Sequence, residues 1–371
     1  MEDLPEVTHL RWSKYSAAYR KRLLESGKLL GIFLYKHNAS FRKLSRAKAS
    51  QVDELASAFV QELHENDPSK MLRMAKHAVL FLQIWQPRLR RNLPETWSHL
   101  NSWEELRPAG FRAPLPITLL VAMICQSRIL GYQSEIEQDK RLWWIFSVLI
   151  GVGFFGLLRP GEIFNMRCED VSLPNAISLG SPFAVLRIRS PKNARQMGRH
   201  QYTTVKHPDV GDWLVWLIHD RKTSGSAVWP GSQQKFRRFF KICCDKLGIA
   251  HCKFSPASLR AGGATWHVDQ TSSDIGRLRF EGRWTNLRSL EHYVQVARSQ
   301  QLLLSIEDQT SERISQFVNQ HAFLLSLPKF LELKLPSAQL VSLAPLAVGP
   351  REHVSRACRR WGERTGTQEA V

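Results

Sequence analysis

The chain has 371 residues, a length that suits two ordinary domains better than one. Its hydrophobic content of 43%, with twelve tryptophans, excludes a chain that is disordered throughout, because enough apolar surface is present to form cores. Lysine and arginine outnumber aspartate and glutamate by 52 to 33, a net charge of +19 that favours a polyanionic partner, nucleic acid first and an anionic membrane second.

The apolar stretches and the cysteines argue against a membrane or secreted protein. The longest apolar stretch, residues 142–158, falls short of the about 20 residues that span a bilayer and is followed at once by Arg159, so it predicts a buried core helix. The six cysteines form no CxxC pair, and the N-terminus lacks the pattern of a signal peptide. We therefore expect an intracellular protein.

The first hundred residues predict a basic arm and a small helical domain. Residues 1–50 carry eleven basic and four acidic side chains, and we assign 1–45 to an arm that lies along nucleic acid or is merely a solvated polar helix. Apolar residues recur every three or four positions in 52–63 and 71–85, which indicates two helices within a domain of residues 46–107. Beyond these helices lie three arginines, Arg88, Arg90 and Arg91. Either they contact phosphates or they are solvated residues at a helix end.

A proline-rich stretch, residues 103–116, loses this periodicity and marks a domain boundary near residue 108. The second domain then covers 108–325. Near its end, residues 300–323 predict one amphipathic helix, which packs on its own domain or docks on a neighbouring protomer. Residues 326–371 are first proline-rich and then basic, and we expect them to be a disordered tail.

The second domain opens with two apolar helices, residues 116–129 and 142–158, followed by the sequence GLLRPGEIF. Pro160 suits the first turn of a new helix and Glu162 lies near its positive end, so Arg159 falls on the turn between two packed helices. An exposed arginine at a helix end is the simplest interpretation of the composition alone.

A β-hairpin follows in residues 183–205, where alternating strands flank the turn PKNARQMGR. The overall fold is therefore predicted to be mainly helical with a small β-hairpin. After it, 208–219 and 236–249 predict two more helices. The second has an apolar face that belongs to the core and a basic face that could line a duplex, composed of Lys235, Arg237, Arg238 and Lys241.

The last helix of interest begins at Ser255-Pro256 and contains two adjacent glycines, Gly262 and Gly263. A glycine inside a helix costs roughly 1 kcal/mol relative to alanine. We expect the two glycines to allow close packing, against a neighbouring helix or a DNA backbone.

Three motifs, GLLRPGEIF, SLRAGGAT and GRWTNLRSLEHYVQ, follow one another over about 135 residues. Together they resemble the active-site boxes of tyrosine recombinases of the phage-integrase class. The last box is similar to the Cre-like form, with tryptophan where many integrases have histidine. The GRW sequence of this box also resembles recombinases of eukaryotic mobile elements of the DIRS and Crypton kinds.

The resemblance implies a helical core-binding-like domain followed by an α+β catalytic domain, which cleaves and rejoins double-stranded DNA in recombination or integration. It implies no metal or other cofactor, a homo-oligomer on DNA, and location with DNA, in the nucleus if the source is eukaryotic. The implied catalytic residues are Arg159 and Arg260 for the phosphate, Glu162 as support, Lys192 as proton donor to the departing 5′ oxygen, Trp284, and Tyr293 as nucleophile. Six further basic residues are expected at the DNA, namely Arg187, Arg189, Arg199, Lys235, Arg238 and Arg283.

The chemistry of strand transfer explains these residue types. A phenol has a pKa of about 10, so roughly one in a thousand is ionised at neutral pH, and a nucleophilic tyrosine needs nearby positive charge or a base. Attack on phosphorus spreads negative charge over the non-bridging oxygens, where arginines offer permanently charged donors. The implied product is a covalent 3′-phosphotyrosyl intermediate.

One position departs from the family pattern. Where the family usually has histidine or lysine, three residues before the second arginine, this chain has Ala257, and neither His251 nor His267 has the matching offset. Three hypotheses therefore stay open: an active recombinase, a catalytically impaired DNA-binding protein of the same fold, and strand relaxation of the type IB topoisomerase kind.

Overall fold

A computed structural model describes residues 9–107, 112–173, 183–219, 225–271 and 274–320. The chain divides into two compact units, Met1–Gly110 and Phe111–Val371. The expected tail, residues 326–371, lies outside the described residues. In the described ranges no helix combines the length and apolarity that a membrane span requires.

The first unit is helical in its described part. The helix Ala17–Lys36 packs against Leu72–Trp85, and Ala49–Asn66 packs against Pro94–Leu106. The side chains between them, including Leu30, Phe59 and Phe81, are buried. Its helices are α1 His9–Ser13, α2 Ala17–Lys36, α3 Phe41–Arg46, α4 Ala49–Asn66, α5 Leu72–Trp85 and α6 Pro94–Leu106.

Much of the segment assigned from its charge to a basic arm lies in α2 and α3. Leu23 and Phe41 from these helices belong to the core of the first unit, whereas Lys21 and Arg22 are exposed. The basic side chains are thus carried on the outer faces of helices that pack within the unit.

A buried aspartate joins two helices of this unit. Asp53 of α4 accepts hydrogen bonds from the backbone N–H groups of Glu95 and Thr96, at 3.0 and 2.9 Å, and from the Thr96 hydroxyl at 2.6 Å. These N–H groups lie in the first turn of α6, where no helical partner exists. Asp53 therefore caps α6 from a distant position in the sequence.

The second unit is mainly helical and contains a small sheet, as the sequence predicts. The helix Glu137–Phe155 is buried along most of its length and packs against the helices Ile117–Gln133, Pro208–His219 and Pro256–Thr271. The described helices are α7 Ile117–Gln133, α8 Glu137–Phe155, α9 Pro160–Asn165, α10 Ala194–Met197, α11 Pro208–His219, α12 Gln233–Lys246, α13 Pro256–Thr271, α14 Ile275–Glu281, α15 Leu287–Glu291, α16 Val296–Leu304 and α17 Asp308–Gln320.

The sheet is antiparallel with the order β1-β2-β3, formed by β1 Val171–Ser172, β2 Ala184–Ile188 and β3 Gln201–Val205. β2 and β3 are the two arms of the expected hairpin, and β1 is a short third strand that the sequence did not predict. Leu186 points into the core and Arg187 points outward, because alternate residues of a strand face opposite sides.

The two glycines of α13 permit close backbone contacts inside the protein. A Cβ added to Gly263 would overlap the carbonyl oxygen of Phe154 in α8, and one added to Gly262 would overlap the carbonyl oxygen of Leu115. Packing of α13 against this unit's own backbone therefore accounts for both glycines.

The C-terminal part of the second unit differs from the prediction. Instead of one helix over 300–323, the chain forms α16 and α17, which are separated at Ser305 to Glu307. Leu302, Ile306 and Ile314 are buried, and α17 packs against α7 of the same unit. The two helices follow the buried apolar side chains around the core, which one straight helix would not do.

Candidate functional site

The start of α9 pairs an arginine with a glutamate. Arg159 lies at the N-cap, and its backbone N–H donates to Glu162 Oε2 at 2.9 Å while its Nη1 donates to Glu162 Oε1 at 2.8 Å. Pro160 provides the first helical residue and fixes the direction of the turn. The Arg159 side chain is 23% exposed, so part of its guanidinium remains accessible beside the buried carboxylate.

A second arginine binds the same carboxylate from another segment. Arg283 Nη2 donates to Glu162 Oε2 at 2.7 Å, and the Arg283 side chain is only 3% exposed. The same Nη2 lies 3.4 Å from the carbonyl oxygen of Leu157. Glu162 thus connects the turn before α9 to the segment that follows α14.

Arg260 completes the group of arginines. It lies in α13, is buried, and donates to the carbonyl oxygens of Leu157 and Gly282. Because Leu157 also accepts from Arg283, the two guanidinium groups lie next to each other. Residues far apart in the sequence therefore form one cluster of three arginines around Glu162.

Two aromatic rings cover the Arg260 guanidinium. Its central carbon lies 4.1 Å from the ring centroid of Trp284 and 5.5 Å from that of Tyr293. The two rings meet edge to face, with centroids 5.4 Å apart and planes at 61°. Trp284 is buried, and its indole Nε1 has no hydrogen-bond partner among the described residues.

The backbone around Tyr293 is held by a threonine of α13. Thr265 Oγ1 donates to the Tyr293 carbonyl at 3.0 Å and accepts from the Gln295 N–H at 3.1 Å. The Tyr293 N–H donates to the carbonyl of Leu290 at 2.7 Å. Tyr293 is thus partly exposed on a main chain that is held at both its N–H and its carbonyl group.

The charges of the cluster influence one another. Burial raises the pKa of Glu162, but the charge of Arg283, the Arg159 N–H and the charge of Arg260 outweigh it and hold this pKa below its ordinary value. Burial, together with the charges of Arg159 and Arg283, lowers the pKa of Arg260. Arginine still carries its proton at neutral pH, so three arginines and one glutamate leave a net charge of +2.

The turn between β2 and β3 is tied to this cluster. Asn193 Nδ2 donates to the carbonyl oxygen of Arg283 at 2.8 Å, and Lys192 is the preceding residue. Lys192 is exposed and makes no ion pair with any described residue. Lys192 thus lies one residue from an asparagine that contacts the cluster.

Two of the arginines expected at DNA are bound to acidic residues. Arg187 Nε and Arg189 Nε donate to the two oxygens of the fully buried Asp170 carboxylate, at 2.9 and 2.5 Å, and Arg189 also pairs with Glu169. Arg187 and Arg189 keep exposed side-chain fractions of 44% and 29%. The hairpin arginines thus support the fold and still face solvent.

The other four expected DNA-binding residues differ in exposure. Arg199 and Arg238 are exposed, and neither has an ion pair with a described residue. Lys235 pairs with Asp139 at 2.5 Å and is a third exposed. Arg283, by contrast, is buried in the arginine cluster. Its membership of the site was not evident from sequence, because nothing in GRW indicates which neighbour of the tryptophan turns inward.

Ala257 lies near the start of α13 and is buried. Its methyl group offers no hydrogen bond at the position where the motif resemblance leads one to expect histidine or lysine. His267 lies 3.5 Å from Glu281, which also binds Lys206 at 2.6 Å, and His251 Nε2 lies 3.4 Å from Cys252 Sγ. In the parts of the chain that the structure describes, no three His, Cys, Asp or Glu residues form a metal-binding group.

No family model and no curated protein sequence matches this chain. Its fold is similar to that of the XerH site-specific recombinase in two crystal structures, a post-cleavage complex with palindromic difH substrate and a pre-cleavage complex with difH substrate. Both are 14% identical, with TM-scores of 0.42 and 0.41 over 77% and 78% of this chain and 95% and 96% of theirs. The residues of the cluster, rather than this similarity, define the chemistry available to the chain.

Proposed function

We propose that this chain is a tyrosine recombinase that cleaves and rejoins strands of double-stranded DNA, with Tyr293 as the nucleophile. One observation carries the proposal: the Arg260 guanidinium lies over the rings of both Trp284 and Tyr293, beside the Arg159–Glu162 pair. A tyrosine next to fixed cationic donors is the arrangement that phosphodiester transfer to a phenol requires.

In the proposed reaction, the Tyr293 oxygen attacks phosphorus and the bond from phosphorus to the 5′ oxygen breaks. The departing oxygen takes a proton from Lys192. The phenol proton passes to water or to a phosphate oxygen, since Ala257 has no group to accept it. A 3′-phosphotyrosyl bond results, and attack on it by a second 5′ hydroxyl rejoins the DNA and releases Tyr293.

The arginines act on the charge that develops during this reaction. Arg159 and Arg260 donate to the non-bridging oxygens, and the indole N–H of Trp284 donates to the same phosphate. Glu162 keeps the guanidinium groups in position, and its lowered pKa keeps it ionised at neutral pH. Removal of one fixed donor of this kind costs on the order of a hundred- to a thousandfold in rate.

The proposal extends to the organisation of the chain. Residues 108–325 form the catalytic domain, and residues 46–107 bind DNA as a helical core-binding domain. Within the same unit, α2 and α3 from residues 1–45 add exposed basic side chains such as Lys21 and Arg22. Exposed basic side chains such as Arg199 and Arg238 contact phosphates, which supply affinity rather than sequence recognition. Integration or excision of a mobile element by a homo-oligomer on DNA is the process we assign to this chemistry.

The test uses a pool of nicked suicide duplexes with randomised sequence, in which cleavage releases a short fragment and traps the protein on DNA. Adducts that survive denaturation in SDS are recovered and sequenced. We expect a covalent adduct with the wild-type chain and none with Tyr293→Phe, whose salt-dependent DNA binding should be unchanged. Failure of the wild-type chain to form any Tyr293-dependent adduct would refute the enzyme proposal.

A second function is favoured by Ala257. A chain of this fold that binds DNA without cutting it would retain the basic surface and lose the group that handles the phenol proton. That function predicts salt-sensitive binding to duplex DNA with no adduct, even after Ala257→His. Restoration of adduct formation by Ala257→His alone would instead indicate an impaired enzyme.

A further inference from the structure

Arg283 adopts a backbone conformation that an arginine rarely adopts. Its φ is 58°, in the left-handed region, where glycine is relaxed and other residues are uncommon. Glycine would adopt this backbone conformation without strain. The fold alone therefore does not explain an arginine at this position, and a strained residue in a functional cluster suggests a role in function.

The surroundings of Arg283 are also unusual for a structural arginine. The side chain is 3% exposed, yet its Nε and Nη1 have no hydrogen-bond partner among the described residues. A buried donor without an acceptor is unfavourable unless a ligand completes it. Among the described residues, the bonded nitrogen of this guanidinium is Nη2, which donates to Glu162 and to the carbonyl of Leu157.

The charge balance points to an anionic ligand. Arg283 lies beside Arg260, because both donate to the Leu157 carbonyl, and Arg159 shares Glu162 with it. Three like charges in a largely buried site with one counter-charge repel one another, and the repulsion falls when an anion enters. A phosphodiester brings one negative charge. In the transition state of its cleavage, additional negative charge develops on the two non-bridging oxygens.

We propose that Arg283 is a third phosphate-binding arginine, which donates a free N–H of its guanidinium to a non-bridging oxygen of the phosphate that Tyr293 attacks. The inference rests on the proposed function and gives a part in the reaction to Arg283, a residue of the GRW motif that the family resemblance placed only among the DNA contacts. Arg283 then supplies the site with one more charged hydrogen-bond donor. Ala257 in the neighbouring α13 supplies none, because its side chain is a methyl group.

The test compares Arg283→Gly with wild type in the suicide-substrate reaction. Glycine accepts the left-handed conformation, so the variant removes the guanidinium without new backbone strain. Lys253→Gly is the matched control, because Lys253 is an exposed basic residue with a φ of 54°. Should Arg283→Gly fail to fold, Arg283→Asn serves in its place, since asparagine also tolerates this conformation.

Each rate is measured twice, on the ordinary duplex and on one with an uncharged methylphosphonate at the cleaved position. We expect Arg283→Gly to slow adduct formation on the ordinary duplex about a hundredfold or more, and much less on the uncharged duplex, where less charge develops. Lys253→Gly should match wild type on both. A guanidinium that only supports the fold would give the same loss on both substrates.

The outcomes separate the two proposals. Adduct formation by wild type with no loss in Arg283→Gly, or with equal losses on both substrates, overturns the assignment of Arg283 and leaves the enzyme proposal standing. A wild-type chain that forms no Tyr293-dependent adduct overturns both.

Discussion

The guanidinium of Arg260 stacks on the indole of Trp284 with 4.1 Å between the guanidinium carbon and the ring centroid. Arg260 belongs to α13 and Trp284 to the segment after α14, so this contact brings two separate motifs together. Cation–π contacts of a desolvated arginine contribute about 2 kcal/mol. The pair therefore contributes to the stability of the fold and fixes the orientation of the Arg260 guanidinium.

Replacement of Trp284 should separate these two effects. Trp284→Ala is expected to lower the free energy of unfolding by about 3–5 kcal/mol, because a large buried side chain is lost. Trp284→Phe keeps an aromatic face for Arg260 but removes the indole N–H, so it should fold and yet form the DNA adduct more slowly. Urea denaturation and suicide-substrate kinetics measure the two effects.

The control for Trp284→Phe is Trp103→Phe in the first unit. Trp103 is equally buried, and its indole N–H donates to the carbonyl of Pro68 at 3.1 Å. This control should lose stability and keep the rate of adduct formation. An unchanged rate in Trp284→Phe would remove the indole N–H from the mechanism.

Lys192 is predicted to protonate the departing 5′ oxygen. Lys192→Ala should reduce cleavage of ordinary DNA by about 100- to 10,000-fold, the usual contribution of a general acid. The loss should nearly vanish on DNA with sulfur in place of that oxygen, because a thiolate leaves without a proton.

Arg195→Ala and Arg199→Ala are the matched controls for Lys192, since both are exposed basic residues of the same turn. Their effect should be confined to affinity and its salt dependence. If sulfur substitution rescues Arg195→Ala or Arg199→Ala but not Lys192→Ala, the general acid has been assigned to the wrong residue.

Glu162 should make stability depend on pH at the acidic end. Its pKa is lower in the folded chain than in the unfolded chain, where a glutamate has a pKa of about 4.3. The stabilisation is thus fully present above about pH 4.3 and is lost as the pH falls through the folded-state value. Urea midpoints of wild type should fall over this range, and those of Glu162→Gln should fall less.

At pH 7, Glu162→Gln should be less stable by about 3–5 kcal/mol, since Arg283 would remain buried without its counter-charge. Glu169→Gln is the control, because Glu169 forms a partly exposed ion pair with Arg189. Such pairs contribute about 0–1 kcal/mol. Equal losses of unfolding free energy in the two variants would show that Glu162 is not the essential counter-charge of the buried arginines.

The glycines of the second unit provide a test of packing. Gly263→Ala would place a methyl group on the carbonyl oxygen of Phe154, and we expect a loss of about 3 kcal/mol or more. A Cβ at Gly161 in α9 would meet no atom within 4 Å, so Gly161→Ala should be neutral or stabilising by up to about 1 kcal/mol. Thermal unfolding measures the change in Tm of each variant. Similar changes in the two variants would show that α13 has room for a methyl group at Gly263.

The helical character of the chain and its hairpin follow from the sequence alone, and so do the segments in which the candidate site residues lie. Apolar side chains at helical spacing report local structure directly, and the order of the motifs around Arg159, Arg260 and Tyr293 is a property of the sequence. The split of 300–323 into α16 and α17 was missed, because an amphipathic pattern continues through a bend.

The pairing of charged side chains, in contrast, follows from the fold and not from local sequence. Arg283 was expected on a DNA-binding surface, and it lies instead in the buried cluster, where Glu162 from a segment 121 residues away binds it. Arg187 and Arg189 likewise depend on the buried Asp170. Periodicity and motif spacing carry no information on such pairings, because they depend on how distant segments pack and on which charges burial forces together.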